Sequence, residues 1–336
     1  MAIDRAPTLT DVARLAGVSL TTASKAINGK PRVSDSVRAR VLKVAKELSY
    51  SPNPMARSLH TGRSGFVALI IIDTLSQRWA VPALLGAESA LSQIDLSLVA
   101  ADARGEARRL NELARVFQAR KVDGLLVLGD NNVVTPSLAG IVSVPVVYLH
   151  GDTGDTRDVV HLPDDRGGIV QVVEHLVASG RTRVAFVGGP AGVRATVERA
   201  RGLQDRLDEL GRPVVGGVSR CGPWSQRWGR TAADQLLQEH PDVDAIVCAS
   251  DQIAFGVVQA VQASGRIVPQ DVAVTGFDNW LAFATETEPA LTTVDMNLAD
   301  LGASAVRDLF SIIDGTSVGR GVRYHDTTLV VRGSAP

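Results

Sequence analysis

Cysteine and aromatic residues are scarce in this 336-residue sequence, which contains two Cys and only 4% Phe, Trp and Tyr. Cys221 and Cys248 are far apart and form no Cys-x-x-Cys pair, so neither a disulfide framework nor a metal site is predicted. No hydrophobic run approaches the ~20 residues of a membrane-spanning helix, and the N-terminus lacks the apolar segment of a signal peptide. We therefore predict a cytoplasmic protein with no membrane partner, no metal and no cofactor.

Motifs of common catalytic sites are also missing. The sequence has no Gly-x-Ser-x-Gly, no Gly-x-x-x-x-Gly-Lys-Ser/Thr and no pair of His at metal-binding spacing. Residues 188–192 are rich in glycine but lack the spacing of a phosphate-binding loop, and we interpret them as a turn. The prediction is that the protein is not an enzyme.

Charge is distributed unevenly along the chain. The total formal charge is −1, yet residues 1–63 contain eleven Lys and Arg against four Asp and Glu, a net charge of +7. The remaining residues contain 24 basic and 32 acidic side chains, a net charge of −8. A small basic module on an acidic body is typical of a protein whose first module faces phosphates.

Two short helices are predicted within residues 8–28. Apolar residues at helical spacing end at Gly17, and Ser19 then provides an N-cap for a second helix. Thr8 and Asp11 have the spacing of a capping box. Two helices joined in this way indicate a helix-turn-helix, whose second helix can enter the DNA major groove. A surface helical hairpin in a larger bundle is the alternative.

A third helix and a flexible joint complete the basic module. Residues 34–48 carry apolar side chains at helical spacing and would close a three-helix core. Asn53 and Pro54 then favour the start of a very short helix, and the glycines that follow it end it.

From Phe66 onward the pattern changes to apolar strands that alternate with amphipathic helices, which predicts parallel sheet covered on both faces. There are too many such units for one compact sheet, so we predict two similar lobes. The predicted strands are residues 66–72, 96–101, 124–128, 144–149, 183–188, 245–248, 272–277 and 328–331. The predicted helices are residues 82–93, 106–120, 168–179, 195–210, 226–239, 252–264 and 298–313.

The first 63 residues resemble the DNA-binding head of the lac/galactose repressor family, in the segments TLTDVARLAGVSLTTASKAINGK and RVSDSVRARVLKVAKELSYSPNPMARSLHTGRSG. The rest resembles the family's effector domain, which is related to periplasmic sugar-binding proteins. The matching segments there are KVDGLLVLG, PDDRGG, RVAFVGGP, ERARGL, CASDQIAFG, VAVTGFDN and LTTVDMNLADLG.

The resemblance covers essentially the entire chain and implies its domain organisation. An all-α helix-turn-helix head is expected at residues 1–52, followed by a hinge helix and linker at residues 53–64. The α/β effector domain, residues 65–336, is expected to have two Rossmann-like parallel-sheet lobes of the periplasmic sugar-binding type. The N-lobe would comprise about residues 65–164 and 296–324, and the C-lobe about residues 165–295 and 325–336.

The resemblance also assigns DNA contacts. Base reading falls on Leu20, Thr21 and Lys25. Lys25 is expected to bind a guanine edge, because guanine presents two acceptors in the major groove, whereas Leu20 can make only apolar contact. The positions of the family's phosphate contacts, which set register but carry little sequence information, are occupied by Thr8, Ser19, Thr22, Ser24, Asn28 and Tyr50.

Residues 55–61 match the family's hinge helix, with Ala56, Leu59 and His60 on the minor-groove side. In those repressors, two hinge helices insert a leucine pair into the central base step and kink the DNA, and Leu59 occupies that position. So short a helix is marginal alone, so we expect it to form only when DNA and the partner subunit hold it. An ordinary interdomain linker is the alternative.

Effector binding is expected in the cleft between the lobes. Sugars stack on aromatic rings and need charged or planar partners for their hydroxyls. The residues that match the family's effector-binding positions are Trp79, His150, Arg199, Trp224, Ser250 and Asp278. Ser250 replaces the Asn or Asp of many members, and His150 replaces an acidic residue, so the identity of the effector stays open. Structural roles are the alternatives for His150, Arg199 and Asp278.

We therefore predict a homodimeric transcription factor, a repressor, that binds near-palindromic double-stranded operator DNA under the control of a small-molecule effector, a sugar or oligosaccharide. One alternative is a purine- or nucleoside-responsive regulator of the same family. The other is a sugar-binding protein without a DNA function.

Overall fold

Residues 7–29, 31–50, 63–73 and 77–336 are described by the computed structural model of the chain. The chain divides into two units, Met1–Gly65 and Phe66–Pro336. The predicted hinge residues Ala56, Leu59 and His60 lie outside the described residues. Within the described ranges, no helix has both the length and the apolar character needed to cross a membrane.

The first unit contains the helices α1 (Leu9–Leu15), α2 (Leu20–Ile27) and α3 (Asp35–Glu47). The turn between α1 and α2 contains Gly17 at φ +63°, a conformation that glycine adopts without steric cost. Small and β-branched side chains from all three helices form the core: Val12, Ala13, Ala16, Ala23, Ala26, Val41 and Ala45. The predicted helix-turn-helix head is therefore confirmed.

The second unit alternates strands and helices. Its strands are β1 (Phe66–Ile71), β2 (Ser97–Asp102), β3 (Gly124–Leu128), β4 (Val146–Leu149), β5 (Val159–Pro163), β6 (Val184–Val187), β7 (Ala245–Cys248), β8 (Ala273–Thr275), β9 (Thr293–Asp295), β10 (Gly321–His325) and β11 (Thr328–Val330). Its helices are α4 (Ala80–Ser92), α5 (Ala107–Ala119), α6 (Asp165–Ala178), α7 (Arg194–Glu209), α8 (Gln226–Glu239), α9 (Asp251–Ala263), α10 (Leu281–Ala284) and α11 (Leu298–Ile313).

These strands form two parallel sheets and a short antiparallel pair. One sheet has six strands in the order β10-β5-β4-β3-β1-β2, and the other has three in the order β6-β7-β8. Strands β9 and β11 pair antiparallel. The chain passes between the lobes after β5, before α11 and after β10. The predicted fold class, a helix-turn-helix head with a two-lobed α/β domain, is confirmed.

Strands β5, β9 and β10 were not predicted from the sequence. In β5 and β10 the apolar pattern is interrupted by His161, Pro163, Arg323 and His325. Strand β9 has only three residues, too few for a periodic pattern. All three adjoin a passage of the chain between the lobes, where polar residues replace the continuous apolar run of the central strands.

Close packing of α4 against α11 positions one wall of the cleft. A Cβ atom on Gly86 would lie 1.9 Å from the carbonyl oxygen of Ala299, and one on Gly302 would lie 2.2 Å from that of Ala83. Glycine is required at both positions because any side chain would force the two helices apart. The contact fixes the start of α11 beside the start of α4.

Candidate DNA-reading surface and effector cleft

The outer face of α2 presents the side chains that the sequence assigned to base reading. Ala23 and Ala26 face the core, so Leu20, Thr21 and Lys25 lie on the opposite, exposed side. Leu20 is 51% exposed, so its apolar side chain is accessible to a partner surface. The helix thus offers one apolar group, one hydroxyl and one ammonium group on a single face.

Several residues assigned to phosphate contacts are held by local hydrogen bonds. The Thr8 hydroxyl donates to Asp11 Oδ2 at 2.7 Å, and Ser19 Oγ accepts from the Thr22 N–H at 3.1 Å. Asn28 Nδ2 donates to the Ser24 carbonyl at 2.9 Å. Burial raises the pKa of the Tyr50 hydroxyl. These hydrogen bonds give Thr8, Ser19 and Asn28 a structural role at the helix ends, in addition to any phosphate contact.

Arg199 lies at the centre of a buried ion cluster in the second unit. Its Nε and Nη2 approach Asp165 Oδ1 at 2.8 and 2.7 Å, and its Nη1 donates to the Ala249 carbonyl at 2.6 Å. The guanidinium carbon lies 3.6 Å from the centre of the Phe277 ring, a cation–π contact. Only 3% of the Arg199 side chain is exposed, so its charge depends on these partners.

Asp278 joins this cluster to the opposite lobe. Its Oδ1 lies 3.6 Å from Arg199 Nη1, and its Oδ2 accepts a hydrogen bond from Arg78 Nε at 3.0 Å. Asp278 and Asn279 have φ values of +109° and +48°, conformations that non-glycine residues rarely adopt. Such strain is concentrated at functional sites. The turn after β8 therefore directs the Asp278 carboxylate at the cleft, where Arg78 from the other lobe binds it.

Trp79 and His150 stack on each other in the N-lobe wall. Their ring centres are 4.8 Å apart and their planes differ by 28°. His150 Nδ1 is buried and has no hydrogen-bond partner. Burial lowers the pKa of His150 to about 4, so the imidazole is uncharged at neutral pH. The two rings therefore form an aromatic wall in which His150 Nδ1 has no hydrogen-bond partner.

Trp224 bridges the lobes from the C-lobe side. Its Nε1 donates to Asn132 Oδ1 at 3.2 Å. A Cβ atom on Gly189 would lie 2.2 Å from the Trp224 ring, so the glycine-rich turn makes room for this side chain. Trp228 instead donates from Nε1 to the Gly188 carbonyl at 2.9 Å and packs against Gly222. Trp228 thus supports the turn.

Ser250 and Asp251 lie at the base of the C-lobe wall. Ser250 is fully buried, and its Oγ accepts the Ile253 N–H at 3.3 Å as the N-cap of α9. Asp251 accepts from the Trp280 N–H at 2.6 Å and from the Thr293 hydroxyl. Burial raises the pKa of Asp251 to about 8. The cap gives Ser250 a structural role, and its effector contact stays a prediction.

A cavity of about 550 Å³ opens between the lobes beside these groups. Its lining includes Arg78, Trp79, Asp278, Trp280, Asp295 and Asp300. A volume of this size fits the range of small-molecule sites, roughly 300–1,000 Å³. The cavity therefore has room for a small polar ligand between an aromatic wall and carboxylates.

The structure brings four of the sequence-predicted effector residues together in two pairs: Trp79 stacks on His150, and Arg199 adjoins Asp278. Trp224 lies at the lip, and Ser250 is a buried cap. Sequence reasoning missed Arg78, Asp165 and Asp251. The last two stand in the PDDRGG and CASDQIAFG segments, where an Asp at a strand–helix junction is a signal. Arg78 gave none.

The buried imidazole predicts a pH-dependent stability. Because the pKa of His150 is lower in the folded protein than in the unfolded chain, the unfolded state binds more protons as the pH falls below about 6.5, and stability is lost. His150→Asn removes this group, and Asn tolerates the local φ of +57°.

Between about pH 7 and pH 4.5 we expect the wild-type protein to lose roughly 2 kcal/mol of unfolding free energy relative to His150→Asn, by chemical denaturation. Asp251 and the other titrating groups are present in both proteins, so they cancel in the difference. A difference that is constant with pH would contradict the assignment.

Each of the two units matches a known protein family. Residues 8–53 match the family model described as bacterial regulatory proteins, lacI family, and residues 173–335 match a periplasmic binding protein-like domain. The HTH-type transcriptional regulator CelR of Thermobifida fusca is 34% identical over 98% of each chain.

Two solved structures show the same architecture. A complex of the transcriptional regulator CelR with cellobiose is 31% identical, with a TM-score of 0.68, and covers 98% of this chain and 99% of that one. The lac repressor dimer bound to operator and the anti-inducer ONPF is 25% identical, with a TM-score of 0.76 and the same coverage.

Proposed function

Because the chain belongs to the lacI family of bacterial regulatory proteins, and is thus a DNA-binding transcriptional regulator, we propose that it is a homodimeric repressor. In this proposal it binds a near-palindromic operator, and a sugar or oligosaccharide in the cleft changes its operator affinity. The observation that carries the proposal is the exposed face of α2, with Leu20, Thr21 and Lys25 opposite a compact apolar core.

The chemistry of that face supports major-groove reading. An ammonium group can bond the two acceptors on guanine, and a leucine can contact a thymine methyl. The net charge of +7 in residues 1–63 supplies attraction to phosphates on any sequence. Thr8, Ser19, Thr22, Ser24, Asn28 and Tyr50 are proposed to set the register on the backbone.

A homodimer is supported by apolar side chains that the single chain leaves exposed. Val81 and Leu85 on α4 are 49% and 57% exposed, and Val99 on the edge strand β2 is 39% exposed. Exposed apolar groups on one lobe favour association. Two heads on a dimer would read half-sites related by two-fold symmetry, which makes the operator palindromic.

The cleft supports a carbohydrate effector. The cavity lining combines the Trp79 ring with the carboxylate of Asp278, the kinds of group that sugar faces and hydroxyls need. The solved CelR complex contains cellobiose. Binding between the lobes would change their geometry, and effector and operator would then alter each other's affinity reciprocally.

The test is a gel shift of the full chain on DNA upstream of its own coding sequence, repeated with a panel of sugars. We expect a shifted band at low salt that one sugar weakens or strengthens. Failure to shift any duplex at low salt would overturn the DNA-binding proposal.

Leu59→Ala tests the proposed leucine wedge of the hinge. Unstacking a base step costs a few kcal/mol and widens the groove for further contacts. We expect the variant to lose about tenfold in operator affinity by fluorescence anisotropy, with unchanged sugar binding by calorimetry. Ser64→Ala, a small change in the linker after the hinge-helix residues 55–61, is the control. Unchanged operator affinity in Leu59→Ala would contradict the proposed leucine wedge.

A further inference from the structure

Both arginines of the cleft are already paired with carboxylates. Arg199 Nε and Nη2 are bound to Asp165, Nη1 is bound to the Ala249 carbonyl, and the side chain is almost fully buried. Arg78 donates from both Nε and Nη2 to Asp278. A carboxylate or phosphate entering the cleft would have to compete with the carboxylates that already bind these arginines.

The cavity beside them is acidic. Among the described residues that line it, Arg78 is the only basic side chain, while Asp278, Asp295 and Asp300 are carboxylates. Asp295 is held in place by the Asn279 amide at 2.8 Å and the Asn297 N–H at 2.8 Å, which are uncharged donors. With Arg78 and Asp278 paired, two carboxylates remain without a counter-ion in the lining.

The start of α11 also contributes to the electrostatics of this cavity. A helix N-terminus carries roughly half a positive charge, which attracts anions. Asp300 lies in the first turn of α11 and Asp295 lies just before it. Two full negative charges outweigh this partial positive charge, so the local field repels an anion.

Two unpartnered polar atoms of the cleft lie outside the cavity lining, one of them on His150, which stacks on the lining residue Trp79. His150 Nδ1 and Asn131 Oδ1 are buried without a hydrogen-bond partner, and buried polar atoms of native proteins are normally bonded. Asn131 Oδ1 is an acceptor and needs a donor, since its own Nδ2 already donates to Asp165 Oδ2 at 2.8 Å. A hydroxyl can serve either atom, whereas an ionised carboxylate cannot donate to Asn131.

We infer that the cleft selects an uncharged, hydroxyl-rich ligand and rejects the carboxylate and phosphate forms of the same compound. This inference rests on the proposed function, which it narrows from carbohydrates in general to neutral sugars. Sugar acids and sugar phosphates are thereby excluded as effectors.

The test is isothermal titration calorimetry of the full chain at neutral pH with matched ligand pairs. The neutral probes are cellobiose, glucose and ribose, and their charged counterparts are cellobionate, glucuronate and ribose 5-phosphate. We expect at least one neutral probe to bind and its charged counterpart to bind at least about 100-fold more weakly, as expected for like charges a few ångströms apart.

A double variant, Asp295→Asn with Asp300→Asn, tests the cause. It removes two charges and keeps the side-chain shapes, so the ratio of the charged probe's affinity to the neutral probe's affinity should rise at least tenfold, on the order expected from lost repulsion. Asp234→Asn, which removes an exposed charge on α8, is the control and should change the affinity of neither probe.

Three results would overturn the inference: a charged probe that binds as tightly as its neutral partner, an absence of binding by every neutral probe, and a double variant that leaves the ratio unchanged. Calorimetry needs no DNA. A failure of operator binding in the gel shift would contradict the proposed function. It can therefore be distinguished from a failure of the charge preference, which calorimetry measures.

Discussion

Arg199→Ala is expected to lose about 3–5 kcal/mol of unfolding free energy, because removing one partner of a buried ion pair leaves the other charge uncompensated. The uncompensated charge is Asp165, which is only 3% exposed and has both Arg199 Nε and Nη2 as partners. The same substitution should abolish the effector response, since Arg199 also aligns Asp278 at 3.6 Å. Operator binding should persist wherever the protein is still folded.

A second substitution separates stability from ligand recognition. Arg199→Ala combined with Asp165→Asn removes the orphaned charge, so most of the lost stability should return in urea denaturation. If Arg199 and its carboxylates form the effector site, the double variant stays unresponsive to sugar in the gel shift. Recovery of a normal response would mean that Arg199 has only a structural role. Arg206→Ala, which removes two ion pairs of an arginine on the same helix, with Glu174 and Glu209, is the control.

Lys25→Ala is expected to weaken operator binding at least 30-fold, because a lysine contact to a guanine edge contributes about 1–3 kcal/mol and a dimer has two copies. Binding to a scrambled duplex should weaken far less. Lys43→Ala is the matched control, since it removes the same charge from the exposed face of α3.

Fluorescence anisotropy with operator and scrambled duplexes gives both affinities for each variant. We expect Lys43→Ala to change both duplexes by a similar small factor and Lys25→Ala to reduce their ratio. Equal losses on the two duplexes for Lys25→Ala would show that the lysine acts only through its charge and does not read a base.

Secondary structure with strong periodicity could be predicted closely from the sequence. Helices α8 and α11 and strands β3 and β7 have the bounds that the pattern indicates, because their apolar faces are complete. The strands that were missed adjoin the passages between the lobes, where His161 and His325 share a hydrogen bond and Arg323 forms an ion pair with Asp308. Such positions serve tertiary contacts and carry no local pattern.

Some residues of the candidate site could be named from the sequence, but Arg78, Asp165 and Asp251 and the pairings between residues could not. Trp79, His150, Arg199 and Asp278 were named from the sequence, yet the ion pair of Arg78 with Asp278 joins residues 200 positions apart. No local rule identifies such a partner. Ser250 is the opposite case, because its role depends on its sequence neighbours: a serine directly before a helix predicts the N-cap that the structure contains.

The central claim is that a DNA-reading head responds to a ligand in the cleft of the second unit. Operator affinity, measured by fluorescence anisotropy at low salt with and without saturating neutral sugar, tests it most directly. The account predicts that one sugar of the panel changes the operator dissociation constant about 5- to 150-fold, and that affinity falls steeply as salt is raised. An operator affinity that is the same with every sugar, or no binding to any duplex at low salt, would contradict it.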